Sequence, residues 1–389
     1  MDRKSFLILP NGISAEYEIR SYQMAEILAD RNHLVYYVYL DKSRVKDDYC
    51  FRNNFEKLIN QNVVIINSAG KLNIINAPDI NAESAQRCEN FSFLIELLIN
   101  HFNIDIVINS SFDCFALPQS AVDKVFYIYD ISEDYLEIET NPVNKAYIGN
   151  FIESELYKAK LNISSSKTLA NIYKKKYWTN IIYLPNGAAL KPEIEDERAA
   201  FKKYIFHKYD IQDFNAKIIG VLNPPSMGND FDLLFSAFVK FRDEAGYPVK
   251  LIVSYSNSDE TEKPAVSDRD IILINSASQE EIRKLFIVCD LGAVPLLKCN
   301  YTAGLLPINI IEYGMYRKPV LCSVTEELQN HNLPHIIFAN SKASSWASAL
   351  KWGLELEWND YWNPEIDKYK WDKLILLLER LIIRTEKKI

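Results

Sequence analysis

Positive charge is in deficit. The 44 lysines and arginines are outnumbered by 52 aspartates and glutamates, and the formal net charge is −8. A general nucleic-acid binder needs a basic face to neutralise phosphates, so no nucleic-acid partner is expected. Paired cysteines are absent too. Cys50, Cys88, Cys114, Cys289, Cys299 and Cys322 are scattered, with no CxxC pair. Structural zinc is therefore not expected, and the pattern suits a reducing cytosol. Cys289 and Cys322 lie in apolar, strand-like runs and read as buried free thiols. No stretch approaches the ~18 apolar residues of a membrane span. The early apolar run Phe6-Leu7-Ile8-Leu9 is too short for the core of a signal peptide. No Asp-x-Asp pair follows a strand in a setting that suggests a metal site, and the scattered histidines, His33 and His101 among them, are weak catalytic candidates. Neither a metal nor a cofactor is expected.

What is present is ordinary for a folded protein: 48% hydrophobic and 25% charged residues. A length of 389 residues exceeds one ordinary core and implies two domains. Short apolar runs alternate with helical patterns from the start. Residues 5–9 read as a strand, 16–31 as a helix and 34–40 as a second strand, a β-α-β opening that predicts a parallel sheet. Asp105–Asn109, Lys124–Tyr129 and Ile181–Leu184 continue the pattern, and Lys217–Leu222 restarts it. The reading is α/β with three parts: an N-terminal Rossmann-like domain over 1–190, a second over 215–370, and a crossover helix over 371–389. The junction is expected within 187–215, after the turn signal Pro185-Asn186-Gly187.

Polar groups gather in one stretch, residues 295–321. It reads as the end of an apolar strand, a polar loop, a short helix carrying Glu312, and another apolar strand. Open parallel sheets bind ligands at the C-terminal ends of their strands, which is where this loop begins.

Four segments, taken in order, resemble the GT-B glycosyltransferases, in particular the retaining group-1 type (family 4) of bacterial surface-polysaccharide synthesis. The first is Pro10-Asn11-Gly12 with Leu28-Ala29-Asp30-Arg31-Asn32-His33-Leu34-Val35, similar to a glycine loop followed by L-A-x-R-G-H-x-V. The second is Tyr129-Asp130-Ile131-Ser132-Glu133-Asp134, similar to Y-D-x-x-D. The third runs from Ser164-Ser165-Ser166 to Pro185-Asn186-Gly187. The fourth is Pro307-Ile308-Asn309-Ile310-Ile311-Glu312-Tyr313-Gly314 with Lys318-Pro319-Val320, similar to P-x-K-x-x-E-Y-x-A-x-G-K-P-V. There are two departures. Gly304 stands where many members carry the first glutamate of E-x7-E. The loop 223–229, Asn-Pro-Pro-Ser-Met-Gly-Asn, lacks the usual arginine and lysine.

The resemblance implies a GT-B architecture, two Rossmann-like domains facing across a cleft with the last helix crossing back to the first. It implies a glycosyltransferase that takes a hexosyl or related group from a UDP- or GDP-type nucleotide sugar to a glycan or lipid-linked acceptor, retaining and independent of metal. Glu312 is expected on the ribose hydroxyls. Backbone N–H groups over Thr302, Ala303, Gly304, Leu305 and Leu306 are expected near the diphosphate, with Asn223, Asn309, Lys298 and Gly12 completing the donor site. Asp130 is the candidate catalytic or acceptor-side residue, with Asp134 beside it should the reaction invert.

Bland readings stand beside these. Lys298 also reads as a surface lysine, Gly12 and Gly304 as turn residues, and Asp130 as an N-cap. The patch Tyr173-Lys174-Lys175-Lys176-Tyr177-Trp178 fits either a helix end or a membrane surface. The protein is placed in the cytoplasm, with peripheral contact at the inner membrane face under the second reading of that patch. The missing basic pair leaves open a different class, an inactive GT-B-like partner of an active enzyme. A sugar epimerase of the same fold is a third reading.

Overall fold

The computed structural model describes residues 1–11, 19–46, 63–65, 71–80, 84–188, 197–225, 227–255, 268–275, 278–356 and 364–388. The chain folds as two units. One comprises Met1–Pro185 with Trp371–Ile389, the other Asn186–Lys370. The boundary falls just ahead of the stretch read as the junction, and within that stretch Arg198–Lys208 is helical.

The first unit is built on an eight-stranded sheet. Its strands are β1 (Ser5–Leu9), β2 (Leu34–Lys46), β3 (Val63–Ile65), β4 (Leu72–Ile80), β5 (Ile106–Asn109), β6 (Phe126–Ile131), β7 (Leu161–Ser164) and β8 (Ile182–Tyr183). They lie in the order β3-β4-β2-β1-β5-β6-β7-β8, parallel except for β3 against β4. The central strands are buried along their whole length. That is why they read as continuous apolar runs rather than alternating ones.

The last helix, Trp371–Glu386, belongs to this first unit. Trp371, Leu374, Ile375, Leu378 and Ile382 recur at helical spacing and bury one stripe against Phe6, Ile8, Met24 and Leu28. One buried charge fixes its register. Glu379 takes two hydrogen bonds from Arg31 (3.1 and 2.7 Å) and lies 2.9 Å from His33 Nε2. His33 Nδ1 accepts from the Lys4 N–H (3.1 Å), so the ring proton sits on Nε2 and points at Glu379. The Arg31-Asn32-His33 segment thus serves as the seat of the return helix.

Burial alone would raise the Glu379 carboxyl, but the hydrogen bonds from Arg31 and His33 outweigh it and hold the group below its usual range. A depressed folded-state pKa contributes stability above the unfolded value, lost as pH falls through the folded one. Hydrogen exchange should therefore show amides of Trp371–Glu386 losing protection on acidification before those of β1 and β5. Equal protection of all three down to global unfolding would contradict this.

The second unit carries six parallel strands, β9 (Lys217–Val221), β10 (Val249–Tyr255), β11 (Ile271–Asn275), β12 (Leu291–Val294), β13 (Val320–Ser323) and β14 (Ile336–Ala339). Their order is β11-β10-β9-β12-β13-β14. The chain therefore turns back between β9 and β12, the topological switch point at which open α/β sheets form a crevice. Helices Phe231–Glu244 and Ala343–Glu355 cover one face with Phe238, Phe241, Trp346 and Leu350.

Tyr313 fills a slot behind the switch point. Its hydroxyl donates to Gly220 O (2.7 Å), and Gly220 on β9 pairs with Gly292 on β12. A Cβ on Gly292 would stand 2.6 Å from the Tyr313 ring. Gly292→Ala should therefore cost about 1–3 kcal/mol through overpacking, read as a lower urea midpoint for the second unit. An unchanged midpoint would mean the slot is loose.

Candidate functional site

Two loops leave the sheet of the second unit on either side of its switch point, residues 222–230 after β9 and 295–307 after β12. Backbone contacts join them. Leu297 N donates to Gly228 O (2.8 Å), Asp230 N donates to Pro295 O (2.8 Å), and Asn229 bridges Leu296. Gly228 makes this junction feasible. It sits at φ +81°, and a Cβ there would meet Thr302 Cγ2 at 2.7 Å.

Glu312 lies on the helix Ile308–Met315, which follows the second loop. Asn223 Nδ2 donates to Glu312 Oε2 (3.3 Å). Asn223 itself is held at φ +46°, a left-handed conformation that asparagine tolerates better than most residues, and its N–H donates to Ser254 Oγ (3.1 Å). Glu312 keeps part of its surface open, but desolvation pushes its carboxyl up to about 7 despite the lowering effect of Asn223. One turn earlier, Asn309 is fully buried and donates through Nδ2 to Leu222 O (3.1 Å), while its Oδ1 has no hydrogen-bond partner among the described residues. Asn223, Asn309 and Glu312 thus form one polar group on the C-terminal edge of β9.

The other expected donor residues divide. Thr302 is buried, and its Oγ1 is engaged by its own turn: it donates to carbonyls of Leu297 and Cys299 and accepts from Cys299 N. The N–H groups of Ala303, Gly304 and Leu305 likewise go to carbonyls of Cys299 and Thr302 within the short helix Asn300–Ala303 and its exit. Gly304 adopts φ −93°, which any residue can take. Leu305 and Leu306 are buried, whereas Lys298 stands exposed. This stretch is a self-bonded scaffold more than the row of free amides expected from the sequence.

Two residues that sequence reasoning missed also hold it. Asn186 Nδ2 donates to Leu306 O (3.0 Å), and Ser323 Oγ accepts from Leu296 N (2.9 Å). Pro185-Asn186-Gly187 read as a turn signal and as the end of the third resembling segment, with no contact assigned to Asn186; its side-chain amide is the available clue.

In the first unit, Asp130 is the last residue but one of β6, at 1% exposure. Arg20 grips it with two hydrogen bonds (Nε to Oδ2, 2.9 Å; Nη2 to Oδ1, 3.0 Å), and Ser110 Oγ adds a third (3.2 Å). Arg20 also donates to the carbonyls of Leu184 and Pro185, both at 2.8 Å. This geometry makes Asp130 a buried counter-ion, which differs from the catalytic role read from the sequence. Asp134 is buried as well and accepts from Tyr173 OH (3.0 Å); desolvation raises its carboxyl. Gly12 lies outside the described residues. Among the described residues no cluster of three or more His, Cys, Asp or Glu side chains is arranged to hold a metal ion. No helix of the described residues is long and apolar enough to cross a membrane.

No family model matches the chain, and no curated protein sequence does. Solved structures match it over nearly all of its length. A glycosyltransferase from Rickettsia africae is 14% identical with a TM-score of 0.68, and each chain is covered completely. WaaG, a glycosyltransferase of lipopolysaccharide biosynthesis, is 13% identical with a TM-score of 0.65 over 97% of this chain and 98% of its own. Anabaena HepE, solved in complex with UDP and glucose, is 11% identical with a TM-score of 0.66 over 98% of this chain and 100% of its own. At this level of identity the likeness speaks for architecture. The chain has the GT-B fold, two parallel-sheet α/β units with the last helix returned to the first.

Proposed function

We propose that the protein is a glycosyltransferase that moves a sugar from a nucleotide-diphosphate donor to a glycan or lipid-linked acceptor in surface-polysaccharide synthesis. The observation that carries this reading is Glu312, held by Asn223 beside the switch point of the second sheet. A lone carboxylate at the C-terminal edge of such a sheet suits the paired hydroxyls of a ribose. Glycosyltransferases of the same fold, among them one solved with UDP and glucose, support a UDP-type donor; a GDP-type donor is the alternative. The burial of Asp130 against Arg20 favours a retaining route in which the leaving phosphate takes the acceptor proton and no dedicated base or metal is needed.

The diphosphate needs compensating charge as it departs. Residues 223–229 hold no lysine or arginine. On this reading Lys298 supplies the charge, since it stands exposed on the loop joined to that segment.

The same deficit favours a second reading, an inactive partner of an active transferase. The two separate on titration with UDP, GDP and UDP-sugars, followed by product analysis with a polyisoprenyl-diphosphate acceptor. Binding lost in Glu312→Ala, together with sugar transfer, supports the enzyme. Absence of any nucleotide affinity in a folded protein supports the partner. Conversion of the bound nucleotide sugar without an acceptor points to an epimerase.

A further inference from the structure

The first unit carries a surface that the proposed chemistry does not use. The helix Lys167–Tyr177 buries Leu169, Ala170, Tyr173 and Tyr177 on its inner side. Its outer side presents Ile172 with Lys175 and Lys176, three and four residues on, where helical neighbours meet. Lys174 is exposed beside them.

The helix ends on Trp178, which is 89% exposed and held at φ +51°. That left-handed capping position normally goes to glycine, because a side chain is disfavoured there. Here it carries the largest of side chains and turns it to solvent. Tyr157, 63% exposed, joins the same corner through a hydrogen bond from its hydroxyl to Tyr177 O (3.0 Å). Glu153 and Asp134 are acids whose charges reach this corner, Asp134 interacting with Lys176 as well. Three consecutive lysines flanked by exposed Ile172, Tyr157 and Trp178 form a local basic, amphipathic surface on a chain of net charge −8.

The place of this surface in the fold also matters. Lys160, just before β7, bonds the carbonyls of Tyr127 and Val125 at the start of β6. Tyr157 therefore lies near the N-terminal edge of the sheet. The helix after β7 runs back to that same edge and delivers Trp178 there. Asp130 and Ser110 mark the opposite, C-terminal edge.

We propose that this corner of the first unit docks on an anionic bilayer surface, with the Trp178 indole among the headgroups and Lys174, Lys175 and Lys176 against the lipid phosphates. An indole with an exposed apolar body and a polar N–H suits the membrane interface, and juxtaposed lysines supply the attraction to anionic lipid. Lying at the N-terminal edge, the contact acts as a tether and leaves the C-terminal edge of the same sheet uncovered. The proposal does not rest on the transferase reading, because a tether requires no donor site.

The test is co-sedimentation of the full chain with vesicles of phosphatidylcholine alone, or of phosphatidylcholine mixed with phosphatidylglycerol. Binding is expected to the mixed vesicles only and should fade with added salt. Each lysine replaced should lower partitioning by about fivefold, so Lys174→Gln/Lys175→Gln/Lys176→Gln should nearly abolish it. Trp178→Ala should weaken it further. Tryptophan quenching by brominated lipid should fall in Trp178→Phe. All these side chains are exposed, and an unchanged melting temperature and circular dichroism spectrum would show that the variants fold.

Three outcomes overturn the proposal: no binding of the parent protein to the mixed vesicles, equal binding by parent and variants, or displacement from vesicles by equimolar single-stranded RNA. The last would mark a general polyanion site.

Discussion

Glu312→Ala is expected to weaken binding of UDP-glucose by about ten- to a hundredfold, the value of hydrogen bonds to a charged acceptor. The larger signature lies in pH. An ionised carboxylate offers acceptors to both ribose hydroxyls, whereas protonation turns one oxygen into a donor. Its carboxyl is pushed up to about 7 by burial. Binding that selects the ionised form should therefore weaken tenfold per pH unit below about 7 and level off above it. UDP-glucose is the ligand to use, because its diphosphate does not titrate in this range. Calorimetry from pH 5.5 to 8.5 would show the profile, together with proton release on binding at low pH. Glu312→Gln should bind more weakly and lose the pH dependence. A flat profile in the parent, or an identical slope in the glutamine variant, would remove Glu312 from the ribose.

For folding, the same carboxyl works in the opposite sense. A folded-state value raised from 4.5 to about 7 means that burial penalises the ion. Its effect is absent below the unfolded value, grows as pH rises from about 4.5 to 7 and is constant above that, costing at most about 3–4 kcal/mol before allowance for its open side. Bound ligand should reverse part of that loss. This combination, a carboxylate disfavoured by its surroundings and aligned by Asn223, is what a binding group shows before its ligand arrives.

The strands were legible because parallel strands buried on both faces must be apolar throughout. β1, β6, β9 and β12 show this directly. The stretch ending at Glu312 was legible for a related reason: a polar loop between two buried strands stands out. The return of the last helix to the first unit came from resemblance, and the residues that fix it were hidden. Arg31 and His33 meet Glu379 across more than three hundred residues, and nothing local marks that pairing.

The detailed site was less legible still. Which N–H groups a loop consumes depends on its turns, and the amides of 303–305 close on their own turn. Gly228 and Asn186 acquire meaning only when two loops meet. Arginines usually lie on the outer side of such a helix, yet Arg20 is almost wholly buried. Its partner is 110 residues away in sequence.

Arg20 is the residue whose loss should cost most. Its guanidinium satisfies both oxygens of Asp130 and two carbonyls at the end of the first unit, and lies 5.9 Å from the centre of the Trp371 ring. Arg20→Met keeps the volume but strands a carboxylate at 1% exposure and leaves the Leu184 and Pro185 carbonyls without that donor. Breaking a buried pair from one side costs about 3–5 kcal/mol. Removing both charges, Arg20→Met with Asp130→Leu, should recover much of that loss, because the desolvation penalty disappears with the ions.

Urea unfolding of the parent, the two single variants and the double variant forms a complete cycle. The expected result is a large coupling, with the double variant more stable than Arg20→Met. Additive losses would mean that Arg20 acts chiefly through the two carbonyls. If instead Asp130→Asn left stability unchanged but abolished sugar transfer, Asp130 would be a catalytic group after all, and the retaining route without a dedicated base would fall with it.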